Sequence, residues 1–308
     1  MSSRSEFVDY INQYEAALSL PDVTVSSLSR YHASKILRNG LAVSGFCALE
    51  DFLKRRAQEF WLDVQSNQVD FNNLPLKIQA LVTFKLFYVL SNKAQHEYES
   101  NDLAGKISFA QTHAEYIAST RAGEGFTISE YAFGFENSNL KENQVSELLK
   151  SLQVKSGWEV MTQLTQALGT AAMSLNNAYI SAMSLRHKAA HEASSDSPVT
   201  DLQNFRRVGA AIAFTYDVIL TECTRRIVNG NGHYLQGGFL EVRDFAFYYI
   251  VPVESYWKIF LSSSSSRAKA RCRSSDEAWD KVSNLPRAQE ILTVELDRQH
   301  RIVDWRSC

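Results

Sequence analysis

Residues 185–192, Leu-Arg-His-Lys-Ala-Ala-His-Glu, put one guanidinium, two imidazoles, an ammonium and a carboxylate into eight positions otherwise held by small or apolar side chains. Histidine, with an ordinary pKa of about 6.5, takes or gives a proton at neutral pH. Arginine stays protonated and does neither, but its planar fork matches two oxygens of a phosphate. Arg186, His187 and His191 therefore read as a set for acid–base work beside a phosphate-like anion. On one helix, positions four apart share a face, as His187 and His191 do, whereas Arg186 and His191, five apart, diverge by about 140°. For those two to meet one phosphate, the helix must start or deform near them, or two chains must each supply part of the site. A metal hydrolase using His187 and His191 is a third reading, but His-Lys-Ala-Ala-His lacks the glutamate of the zincin motif and no third ligand is evident. The plainest alternative is a solvated helix end whose basic residues meet the negative end of the dipole.

The body that carries these residues has 308 residues, 45% of them hydrophobic and 21% charged. That is enough to bury one large core or two modest ones, with none of the bias of a disordered chain. A net charge of −2 gives no global attraction to nucleic acid or an anionic membrane, so a polyanion site has to be a local basic patch. The longest apolar run, residues 245–253, is far shorter than the roughly 20 residues that span a bilayer. The N-terminal residues lack the pattern of a signal peptide. Cys47, Cys223, Cys272 and Cys308 show no CxxC spacing, against a zinc ribbon or a disulfide scaffold. The expected setting is the cytoplasm, with no membrane partner.

Apolar residues recur at helical spacing through most of the chain. Phe7, Ile11, Tyr14 and Leu18 mark a first helix. Ser26 or Ser27 is placed to cap a second, through Leu53 to about Val64, with Gly40 and Gly45 marking either a kink or a close crossing. Pro75 opens a third, with Leu76, Ala80, Leu81, Phe84, Phe87, Tyr88 and Leu90 expected on its buried side. A fourth covers residues 102–120, followed by an irregular excursion over 121–139 that is expected to pack on the body. Helices then cover 141–154, 157–168 and the segment from Ala171 that carries Arg186 and His191. Past a turn at 193–198, Thr200 is placed to cap a long helix ending at Asn-Gly-Asn-Gly, residues 229–232. Beyond Gly237 and Gly238 the period moves toward two, with a strand-rich stretch at 239–260, a short helix near 275–285 and a hairpin at 291–305. The expectation is a mainly α chain: a helical bundle over residues 1–232 and a small α+β unit over 233–308, with no internal repeat.

Arg-His-Lys-Ala-Ala-His at 186–191 also matches the Arg, Asn/Asp/His, three free positions, His signature of the HEPN superfamily of all-helical ribonucleases, which this chain resembles. The surroundings are similar to the RiboL-PSP-type HEPN domains: Ala48-Leu49-Glu50-Asp51-Phe52-Leu53 early, Gly157-Trp158 in mid-chain, Arg186-His187 through Ala190-His191-Glu192, and a long helix after a Ser/Asp/Thr turn. The resemblance covers roughly residues 26–228 and not the C-terminal tail. A looser match, Arg226 to His233, is set aside because Ile227 follows its arginine and a turn precedes its histidine.

The resemblance implies a metal-independent endoribonuclease with no cofactor, whose RNA substrate supplies its own 2′-hydroxyl nucleophile and leaves a 2′,3′-cyclic phosphate. It implies a homodimer with a composite active site, and, for a toxin–antitoxin or phage-defence effector, an antitoxin or regulatory protein as partner. Arg186 would hold the phosphate and His191 would move the proton, with His187 a second proton-transfer candidate and Lys188 a weaker phosphate contact. Glu50 is a candidate for orienting a catalytic histidine, its plainer reading being a surface carboxylate. Arg267, Lys269, Arg271 and Arg273 are candidates for RNA phosphates or, beside the serines at 262–266, a mobile basic linker. The aromatics at 239–260 suit base stacking or the core of a small sheet. The competing reading of the whole is a non-catalytic HEPN scaffold that binds a partner protein or a nucleotide.

Overall fold

Phe7, Ile11, Tyr14 and Leu18 are all buried along one side of α1 (Ser3–Leu18), whose cap residue Ser2 accepts a hydrogen bond from the Ser5 N–H. The computed structural model describes residues 2–24, 31–96, 98–99, 101–123, 125–132, 140–169, 174–262 and 267–307. After α1 come a helical turn α2 (Pro21–Thr24) and α3 (Tyr31–Ser66). Then follow α4 (Leu76–Ala80), a π-helical turn (Leu81–Lys85), α5 (Leu86–His96) and α6 (Leu103–Ser119). The next helices are α7 (Glu142–Ser151), α8 (Gly157–Gln166), α9 (Leu175–His191), α10 (Val199–Val228) and α11 (Gly232–Leu235). The tail holds β1 (Tyr248–Val253), β2 (Tyr256–Leu261), β3 (Ala270–Cys272), α12 (Ser275–Ser283), β4 (Leu292–Leu296) and β5 (Ile302–Ser307). The chain is thus mostly helical with a small C-terminal mixed sheet. No described helix is long and apolar enough to cross a membrane. The expected cap at Ser26 or Ser27, the stretch at 133–139 and the serines at 263–266 lie outside the described residues.

Internal contacts divide the chain differently from the expected break near residue 232. One unit combines Met1–Arg56, Trp158–Thr221 and Val242–Cys308, and the other Ala57–Gly157 with Glu222–Glu241. The reason is burial on both sides of the sheet. In the first unit Trp305 of β5 packs edge-on against Phe7, Phe52 and Phe214, so the tail shares a core with α1, α3 and α10 rather than standing apart from them. The same core holds a buried charge cluster. Asp217, with no exposed side-chain surface, accepts from Arg4 and Arg56 at 2.6 Å each and from the Trp305 indole at 2.9 Å.

The sheet has the order β3-β2-β1-β4-β5, with β1 parallel to β4 and the other neighbours antiparallel. Helix α12 joins β3 to β4 and covers one face, where Ala278, Trp279 and Val282 meet Tyr248, Ile250, Ile259 and Cys272. In the second unit the third helical stretch turns out differently from its expected face. Ile78, Leu81, Val82, Leu86, Val89 and Leu90 are buried, while Leu76, Phe84, Phe87 and Tyr88 are exposed. A stretch apolar all round offers two faces, and the π-helical turn at 81–85 shifts the phase between its two halves. The excursion does pack down where it is described, with Phe126 against Phe71.

Candidate functional site

Helix α9 starts where the Ser174 hydroxyl accepts from the Asn177 N–H and the Thr162 hydroxyl accepts from the Leu175 N–H. Leu175, Ala178 and Tyr179 anchor its first half, with Tyr179 seated between Phe46 and Trp158 at 5.2 and 5.3 Å. Burial fades toward the far end, where Met183, Leu185 and Arg186 are half-buried and His187, Lys188 and His191 are exposed. Trp158 and Phe46 of α3 thus position this helix by packing.

The helix neither starts nor deforms near the motif: it runs unbroken from Leu175 through His191. The His187 and His191 rings lie on one side with centroids 4.7 Å apart. Arg186 lies about 140° around from His191, so a single copy does not aim both at one phosphate. Its Nε is buried without a hydrogen-bond partner, and among the described residues the guanidinium enters no ion pair. An unmet buried N–H costs on the order of 1–3 kcal/mol, and at Arg186 it sits on a guanidinium with no counter-charge beside it.

The end of α9 is held from α3. Arg38 reaches both carboxylate oxygens of Asp196 at 2.8 Å and also donates to the Val23 carbonyl. The Tyr31 hydroxyl donates to the same carboxylate. Asn39 donates to the Ser195 carbonyl and accepts from both the N–H and the hydroxyl of Ser197. Lys35 donates to the Ala193 carbonyl at 2.8 Å. The hydrogen bonds from Arg38 hold the Asp196 carboxyl below its ordinary value, against partial desolvation. This clamp borders a groove of about 780 Å³ lined by His32, Lys35, Asn39, Gly40, Ser44 and, from α9, His191 and its neighbours.

His191 therefore lines the groove, while Arg186 and His187 are not among its lining residues. His32, Lys35 and Asn39 were not singled out from sequence, although their spacing of three and four along one helix is the available signal. Glu50 is 4% exposed, so the surface-carboxylate reading fails, and it does not line the groove. Arg267, Lys269 and Arg273 are exposed, and Arg271 sits on strand β3 rather than in a loose linker. In the discounted match Arg226 is ion-paired to Glu222 at 2.7 Å. Of the other histidines, His113 packs among Phe109, Tyr116 and Tyr131, where burial lowers its pKa, and the His300 ring meets the Leu168 carbonyl. Among the described residues no group of three His, Cys, Asp or Glu side chains is placed to hold a metal ion, so a metal at His187 and His191 would need a ligand from elsewhere.

No protein-family model matches this chain, and neither the curated proteins nor the solved structures yield a match.

Proposed function

We propose that this chain is a metal-independent endoribonuclease of the HEPN type that cuts RNA through attack by its own 2′-hydroxyl. The observation that supports this best is Arg186, a half-buried guanidinium with an unmet Nε, followed on the same helix by two exposed imidazoles, His187 and His191. A cation held without a counter-ion beside free acid–base groups suits a transient anion better than it suits architecture. In the proposed reaction His191 takes the proton of the 2′-hydroxyl, the 2′-oxygen bonds to phosphorus, and the bond from phosphorus to the 5′-oxygen breaks. The leaving oxygen is protonated by a second imidazole, for which His187 is the nearest candidate. The products are a 2′,3′-cyclic phosphate and a 5′-hydroxyl. Arg186 balances the charge on the non-bridging oxygens.

The unbroken helix favours a composite site, in which one copy supplies Arg186 and a second copy supplies His191. The biological extension, a toxin or phage-defence effector restrained by an antitoxin or regulatory protein, follows by analogy with the resembled family alone.

The test is cleavage of total RNA by the wild type, Arg186→Ala and His191→Ala, with and without EDTA, with analysis of the ends. Cyclic phosphate ends from the wild type alone, undiminished by EDTA, are expected, with losses of about 10²–10⁴-fold in each variant. Mixing the two single variants should restore roughly a quarter of wild-type activity, because random pairing makes half the dimers mixed and each has one whole site. Activity lost to EDTA and restored by zinc would overturn the mechanism, and no cleavage of any RNA pool would favour the scaffold reading.

A further inference from the structure

The segment 256–273 contains Lys258, Arg267, Lys269, Arg271 and Arg273 and no aspartate or glutamate. The register sorts these residues by face. Ile259 opposite Ala270 and Trp257 opposite Cys272 point toward α12, so Lys258 and its partner Arg271 point the other way. Tyr256 and Phe260 share that second face with Lys258 by strand alternation, and Tyr249 joins them opposite Phe260. Tyr249 and Phe260 stack with centroids 5.0 Å apart and planes 14° from parallel. The Arg271 guanidinium lies 3.5 Å over the Tyr256 ring, and the Lys258 ammonium lies 5.4 Å from it. Tyr249, Tyr256, Lys258 and Phe260 are half-buried and Arg271 is exposed, so this part of the face is open, unlike the side under α12.

Cations on an edge strand such as β3 also discourage strand-to-strand aggregation. That explains Arg271 but not Lys258, which lies on an inner strand, nor the open aromatic rings beside it. Alternating cations and flat rings with no carboxylate between them match a strand whose phosphates need neutralising and whose unpaired bases need a stacking surface. A duplex hides its bases, and an anionic lipid surface, whose interface also takes up aromatic rings, is separated from a single strand by the vesicle arm of the test. We propose that the open face of β2 and β3 binds single-stranded RNA, with Lys258, Lys269 and Arg271 on the backbone and Phe260 and Tyr249 under bases. This deepens the ribonuclease reading by naming the state of its substrate. Binding does not require cleavage, so the two readings can fail separately.

The experiment uses the full chain carrying His191→Ala, to prevent cleavage, and fluorescence anisotropy of labelled oligouridine of about a dozen nucleotides. Oligothymidine, duplex RNA and phosphatidylserine vesicles serve as comparison arms. Single-stranded RNA should bind with a log Kd that rises with log salt at a slope of about 2, as expected for three phosphate contacts. Lys258→Glu/Arg271→Glu should weaken binding more than tenfold and flatten that slope, and Phe260→Ala should weaken it about fivefold or more with the slope unchanged. Lys269→Glu alters an exposed side chain only and should also weaken binding, which guards against misfolding of the core variants. Equal binding of oligothymidine would extend the site to single strands of either sugar and still supports a single-strand platform. Unchanged affinity in Lys269→Glu and in the double variant, or tighter binding to duplex or vesicles than to the single strand, would overturn the proposal.

Discussion

Two arginine-centred regions of the same unit differ in whether the cations meet a counter-charge. Around Asp217, Arg4 and Arg56 converge on one fully buried carboxylate that also takes the Trp305 indole N–H. At the end of α9, Arg186 keeps a buried Nε with no partner while two imidazoles stand exposed beside it. The first region ties α1, α3, α10 and β5 together, which is an architectural task. The second leaves a cation and two titratable rings available, which is what chemistry on an anion or a second copy of the chain requires.

The sharpest way to break the comparison is to remove charge from the closed region. Asp217→Asn keeps the shape but leaves two arginines without a counter-charge, and should cost about 3–5 kcal/mol in chemical denaturation. Burial pushes the Asp217 carboxyl up, but Arg56 and Arg4 outweigh it and hold it well below its ordinary value. A depressed folded pKa means that this stabilisation is present above about pH 4 and is lost as pH falls through the folded value. The wild type should therefore lose stability in acid more steeply than Asp217→Asn. A cost below about 1 kcal/mol would mean that the cluster is not the tie described.

Gly45 tests the packed side of α3. A β-carbon there would lie 2.7 Å from the Phe205 ring and 3.0 Å from the Tyr14 ring, so it marks a close crossing and not a kink. Gly45→Ala should cost about 1–3 kcal/mol by overpacking, measured as a lower Tm.

How much of this was legible in the sequence follows from the range of the interactions involved. The α9 motif and the helices beginning near 102 and 200 are local, so spacing was enough to find them, although α10 starts at Val199, one residue before the expected cap Thr200. The strands at 248–261 and 292–307 follow from their β-branched and aromatic content. The buried face of the third helical stretch was misread because its apolar residues go all round and a π-helical turn resets the phase. The partners of Asp217 come from residues as far away as Arg4 and Trp305, and the groove beside His191 pairs it with His32 on a different helix. No periodicity in one stretch announces a partner in another.

Arg186 gives a smaller and opposite effect to Asp217. Arg186→Met keeps the apolar stem and removes the unmet Nε–H, so stability should rise by about 1 kcal/mol even as cleavage is lost. Loss of stability in a monomeric sample would place Arg186 with the architectural arginines.

Gly40 gives the smallest effect and bears on the groove directly. It lies in the same helix as Gly45, yet a β-carbon there would meet nothing within 4 Å, and it lines the groove with His32 and His191. Since glycine inside a helix is worse than alanine by roughly 0.5–1 kcal/mol, Gly40→Ala should raise Tm slightly. If the groove admits substrate or a second copy, the added methyl narrows its wall and the same variant should lose cleavage activity despite its higher stability. A variant that is more stable and fully active would show that this wall of the groove is bystander surface, and would leave the composite site to the other side of α9.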